Sequence, residues 1–205
     1  LRRELGDYKS AAEWFKRAIE NRRHYIEAYT ALGDDYYEWA LLNEDLSDAR
    51  RKELLAQAEA ACEAGLQAAA AYEKELVVAP AGSDAAGSEA AFSRRDYLQS
   101  LKALRESLAG SRKAFAINLV RIHLIQGELD KAEARAREAA AQDSTDANLQ
   151  IALARVLERR GDADSALRHY RAALRLDPQN ETAFHGVFRL GGTAAPRESA
   201  PKGKQ

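Results

Sequence analysis

The sequence is short of most of the residues and motifs on which chemistry is built. Cysteine occurs once, at Cys62, which excludes an internal disulfide and leaves the redox compartment open. The formal net charge is −1, so no overall field draws the chain to nucleic acid or to an anionic membrane. No apolar run nears the roughly 20 residues that a bilayer-crossing helix needs, and direct membrane insertion is not expected. No signal peptide is visible, although the chain opens in what reads as the middle of a repeating unit, where a preceding segment could have been removed. No Gly-rich phosphate loop, His-Glu-x-x-His helix, cysteine pair or G-x-S-x-G elbow occurs. We therefore expect no enzyme, no cofactor and no metal site.

What the chain does have is a period. Residues 147–180 repeat the plan of residues 113–146 in a 34-residue step: Gly161 falls on Gly127, Ala166 on Ala132, Ala173 on Ala139 and Leu153 on Leu119. A fixed period of this size marks stacked helical units rather than a single-centred globule. Within 147–180, apolar residues recur at Ile151, Leu153, Val156 and Leu157, then at Ala166, Leu167, Tyr170, Ala173 and Leu174. Both sets have the rhythm of a helix with one buried face. Gly161 can take the left-handed backbone that closes the first helix. Pro178 has no amide hydrogen to continue the second, and Asn180 offers an N-cap to the next segment. The small residues Ala154, Ala166 and Ala173 let two backbones approach while Leu153 and Tyr170 fill the gaps.

On these residues the pattern resembles the tetratricopeptide repeat. Residues 147–180 agree with the family at Leu153, Ala154, Gly161, Ala166, Tyr170, Ala173 and Pro178, with Gln150 and Leu157 standing where it has large or aromatic residues. The preceding copy agrees at Leu119, Gly127, Ala132 and Ala139 and departs at Val120, His123, Ala136 and Ser144. The resemblance implies an all-α, right-handed superhelical solenoid of antiparallel helix pairs that holds a protein or peptide partner.

In that register residues 1–42 are a truncated first repeat, with Ala11, Phe15 and Ala18 on its second helix, followed by a first helix over 26–42 carrying Tyr29, Leu32, Gly33 and Tyr36. Residues 43–79 are an insertion and a long helix. Its first half, through Ala58, Cys62 and Gly65, completes the second repeat, and its far half overhangs. Residues 80–92, rich in Gly, Ser and Ala, form a flexible connector. A helix over 93–109, with Tyr97, Leu98, Leu101, Leu104 and Leu108 on one side, is expected to end at Gly110-Ser111 and to pack antiparallel on the overhang. Two regular repeats come next, at 113–146 and 147–180. A capping helix over 181–190 is expected to cover them with Phe184, Val187 and Phe188. Residues 191–205 read as a disordered tail.

The resemblance also implies a site, because the first helices of such repeats line a concave groove. It places Arg121, Arg155 and Arg189 at one repeat position in 34-residue steps, about 10 Å apart if first helices pack side by side. Asn118, Leu124, Asn148, Ile151 and His185 would surround them, while Tyr29, Asp34 and Tyr37 would make the other end aromatic and acidic. Guanidinium forks beside amides suit an extended peptide bearing carboxylates. Its acidic part would point toward Arg189. The competing reading pairs the arginines with Glu158 or a neighbouring acid in solvent. Asn118 matches the carboxylate-clamping relatives of the family, but Asn148 and Ala152 replace their Lys and Arg. His123 and Cys62 read as packed core residues. Asp34, Asp35 and Glu38 read as a solvated acidic face.

Three functions compete. The first is a non-enzymatic scaffold in a bacterial assembly or export machine, the arginine- and alanine-rich composition suggesting a bacterial origin and leaving cytoplasm or periplasm open. The second is an accessory domain of a larger enzyme. The third is a homo-oligomerisation module acting through the uncovered N-terminal end or the long-helix overhang. All three share the close helix contact at Ala166. Ala166→Phe should therefore cost about 1–3 kcal/mol by overpacking, read from denaturant unfolding.

Overall fold

The computed structural model describes residues 7–77 and 88–191. Residues 1–6, residues 80–87 of the expected connector and residues 192–205 of the expected tail lie outside the described residues. Residues 88–92 of that connector are already helical. Among the described residues there are eight helices and no strand: α1 Tyr8–Asn21, α2 Ile26–Leu42, α3 Asp48–Val77, α4 Ser88–Gln126, α5 Leu129–Gln142, α6 Ala147–Arg159, α7 Ala163–Leu176 and α8 Glu181–Arg189. The chain divides into two compact units, Leu1–Asn118 and Leu119–Gln205, with the division inside α4.

In the first unit α2 packs against both α1 and α3. A helix covered from two sides keeps little solvated surface, and α2 is buried at Ile26, Ala28, Leu32, Gly33, Asp35, Tyr36, Tyr37 and Ala40. The expected acidic face is therefore not solvated as a whole. Asp35 is 0% exposed, and Asp34 accepts a 2.8 Å hydrogen bond from the Asn118 amide. Gly33 lets α2 come close to α3: an added Cβ there would stand 2.8 Å from Cys62 Sγ. Burial, and after it the charge of Asp34, pushes the Cys62 thiol up to about 12. The side chain thus stays protonated and packs as a small apolar group.

In this unit the far half of α3 is met by the turn before α2 and by α4. His24 stacks on Tyr72 with centroids 4.5 Å apart, its Nε2 lies 3.2 Å from Glu75, and Arg112 of α4 pairs with Glu73 at 2.6 Å. The Phe115 ring points its tip at Gly65, where an added Cβ would come within 2.3 Å of Cζ. Passing from Arg112 to Phe115 descends α3 from Glu73 to Gly65, so the two helices run antiparallel there. The end of α3 keeps solvent access all the same, the Glu73 and Glu75 side chains being 44% and 62% exposed. The expected helix end at Gly110-Ser111 does not form: α4 runs unbroken for 39 residues. A glycine inside a helix costs about 1 kcal/mol, and the buried stripe of Leu108 and Phe115, two turns apart, continues across it. Leu98, expected on the packed side, is exposed.

The second unit keeps the repeat plan. Gly127 at φ 78° and Gly161 at φ 84° take the left-handed backbone that ends α4 and α6. Asp146, Asp162 and Asn180 cap α6, α7 and α8 by accepting from backbone N–H groups two or three residues on. Helix α5 presents only alanines to the core beside Glu133, at Ala132, Ala136, Ala139 and Ala140. It therefore lies close to α6, and Arg160 ties the pair together through Asp130 and Glu133. His123 is buried with its Nδ1 3.1 Å from Glu128, the hydrogen-bonded packing role expected of it. Gln150 is also buried; its amide donates to the Ser144 carbonyl at 3.2 Å and its oxygen lies 2.8 Å from His169 Nδ1. That orientation makes Nδ1 the donor, and burial holds the His169 pKa below its usual range, with the charge of Arg168 adding to it.

The Phe115–Gly65 contact gives a direct check. Gly65→Ala should destabilise the first unit by about 1–3 kcal/mol through overpacking. Phe115→Leu in the same chain should recover part of that cost, because the two side chains compete for one space. Strictly additive costs in denaturant unfolding would contradict the shared contact.

Candidate functional site

The face that the repeat register singles out in the second unit is built from the exposed sides of the first helices. Asp146 starts α6 by accepting from the Asn148 and Leu149 N–H groups at 2.9 and 3.3 Å. Three turns on, Gly161 donates to the Glu158 carbonyl and Asp162 to the Leu157 carbonyl, closing the helix. These two ends fix the helical register, and Arg155 and Glu158, three residues apart, project from the same side of α6. Asn180 starts α8 in the same way and sets the position of Arg189 near its end.

Arg189 reaches from α8 back to α6. Its Nε donates to Glu158 Oε1 at 2.6 Å and its Nη2 to Oε2 at 2.8 Å, a two-pronged fork. Glu158 also accepts from the Tyr170 hydroxyl of α7 at 2.8 Å, so one carboxylate joins three helices. The Tyr170 ring fills a notch at Gly186 of α8, where a Cβ would stand 2.6 Å from it. The Arg189 hydrogen bonds, followed by that of Tyr170, hold the Glu158 carboxyl below the usual range against the opposing effect of burial. Burial and the Glu158 hydrogen bond push the Tyr170 hydroxyl up to about 12. The Glu158 bond raises Arg189 above its already high ordinary value.

Of the other expected site residues, Arg155, Asn148 and His185 are exposed, and Arg121 is half-buried. Leu124 and Ile151 are 9% and 6% exposed; they belong to the core behind the face and cannot reach a ligand in front of it. Their apolar side chains follow the buried stripe of their helices, which outweighs the repeat position that suggested them. In the first unit Asn118 and Tyr37 are buried, while Tyr29 and Asp34 are half-buried. The structure joins Asp34 to Asn118, and Arg189 to Glu158. The capping helix covers the repeat with Val187 and half of Phe184, but Phe188 is 74% exposed and does not take part. Sequence reasoning knew Glu158 only as an alternative partner and Tyr170 only as a core aromatic. The hydroxyl's bond across to α6 had no signal in the spacing.

Helices packed on their chain neighbours, with glycine-closed turns and no strand among the described residues, define an all-α helical-repeat protein. Residues 147–190 and residues 1–25 each match a model of the tetratricopeptide repeat, so the chain carries repeats of that family over those stretches. No curated protein matches it. Among solved structures, TTC0263, a thermophilic tetratricopeptide-repeat protein of Thermus thermophilus, is 21% identical with a TM-score of 0.38, over 92% of this chain and 91% of that one. YrrB, a tetratricopeptide-repeat protein with an unusual peptide-binding site, is 17% identical with a TM-score of 0.35, over 92% and 87%. At such scores neither likeness carries an argument about this chain. No described helix is long and apolar enough to cross a membrane.

The three-helix carboxylate has a pH signature. Because its folded-state pKa is lowered from 4.5, the unfolded chain takes up the proton first as the solution is acidified. The stabilisation is present above that ordinary value and is lost as pH falls through the lowered one. Glu158→Gln should be less stable than the parent chain near neutrality, and the gap should narrow below about pH 4.5. Urea midpoints measured against pH would show it.

Proposed function

We propose that this chain is a non-enzymatic scaffold that holds an extended, acidic peptide segment of a protein partner on the first-helix face of its second unit. Arg121, Arg155 and Arg189 supply the cationic rungs, and Asn148 and His185 supply exposed polar contacts beside them. One observation carries the reading: the Arg189–Glu158 fork links repeat-equivalent faces of α6 and α8. Side chains at these positions on successive first helices therefore share one surface, and Arg155 stands on it, one turn before Glu158, exposed. Arg121 occupies the same register one repeat earlier. Each exposed guanidinium offers a flat set of donors that matches a carboxylate, and a spaced series of them matches an extended chain better than a compact anion.

The test is charge reversal. Arg121→Glu with Arg155→Glu should lower affinity for an acidic peptide by at least about a hundredfold, since two attractive contacts become repulsive. Fluorescence anisotropy at fixed salt would read it, with a neutral peptide of equal length as the control. Unchanged affinity would reject the proposal.

A further inference from the structure

Arg189 is a rung of the proposed site, yet its fork is already engaged by a carboxylate of the same chain. Glu158 receives Nε and Nη2 of Arg189 in the side-on geometry that a ligand's aspartate or glutamate would use. The contact lies at the surface: the Arg189 side chain is 55% exposed and that of Glu158 is 22% exposed. Two of the five guanidinium N–H donors go to Glu158, and more than half of the Arg189 side chain stays exposed.

Glu158 also has other partners within reach. The Tyr170 hydroxyl holds it at 2.8 Å, and the charge of Arg155 already acts on it from one turn away on α6. Losing Arg189 would leave the carboxylate bonded to the hydroxyl and beside a second cation. Helix α8 in turn does not depend on the fork alone. Ala183, Gly186 and Val187 are buried in the core, with the Tyr170 ring seated on Gly186.

Building on the reading above, we propose that Glu158 is an internal competitor for the ligand: it occupies Arg189 in the unliganded chain, and an acidic peptide displaces it from the fork. The site then discriminates by charge number. A ligand with one carboxylate pairs with exposed Arg155 and leaves the internal fork closed. One with several carboxylates at peptide spacing also competes for Arg189, while Glu158 turns to Arg155 and Tyr170.

The experiment uses the full chain and a labelled peptide of alternating aspartate and glycine. Glu158→Gln should bind it about tenfold more tightly, since a repelling charge is removed and a guanidinium is released. The gain should vanish when Arg189→Gln is added. In the parent chain the Arg189 Nε–H resonance, assigned by its loss in Arg189→Lys, should shift on peptide addition. That readout stands even if the Glu158 variant folds poorly. If Glu158→Gln binds equally or more weakly, or if the resonance does not move while the Arg121 and Arg155 reversal still abolishes binding, Glu158 is a structural tether and this proposal fails alone. Binding that survives the charge reversal would remove the arginine site, and the competitor with it.

Discussion

Helices in this chain meet where one of them has almost no side chain. Phe115 lies on Gly65, Tyr170 on Gly186, and Cys62 against Gly33, each so close that a Cβ on the glycine would fall inside van der Waals contact. The alanines of α5 and α7 do the same work less sharply. Without a sheet among the described residues or a disulfide, cohesion comes from side chains interlocking along each helix pair. Interiors of this kind are sensitive to a single added methyl. A large ring opposite a glycine also fixes how far one helix can slide past the next. The arginine fork therefore meets its carboxylate because Tyr170 and Gly186 hold α7 and α8 in register.

The polar groups drawn into these contacts are paired rather than excluded. Gln150 bridges Ser144 and His169, His123 faces Glu128, and Asn118 donates to Asp34. Each sits where an apolar residue could have packed, and each joins an element to a loop or to a second helix. Buried hydrogen bonds of this sort add modestly to stability, and removing one partner is costly. They specify which helix meets which more than they hold the pair together.

The proposed function depends on what the packing leaves outside. In the second unit the apolar stripes of α6 and α8 turn inward, so Arg155, Arg189, Asn148 and His185 are left on the outer side. A partially exposed ion pair such as Arg189–Glu158 contributes little by itself, and that makes it suited to exchange. A deeply buried pair would be too costly to open.

The sequence by itself determined the helical class, the 34-residue register and the turns of the second unit, because glycine, asparagine and aspartate at helix ends act through local backbone chemistry. The N-caps at Asp146, Asp162 and Asn180 and the left-handed Gly127 and Gly161 need only their near neighbours. Gly110 shows the limit. It carries the same residue type, yet α4 passes through it, because burial of Leu108 on one side and Phe115 on the other outweighs a local preference of about 1 kcal/mol. The contacts made by the far half of α3, the buried Asp35, the inward Leu124 and Ile151 and the outward Phe188 were likewise decided by tertiary structure. Each depends on which other helix lies alongside, and no residue carries that information in its own stretch of chain.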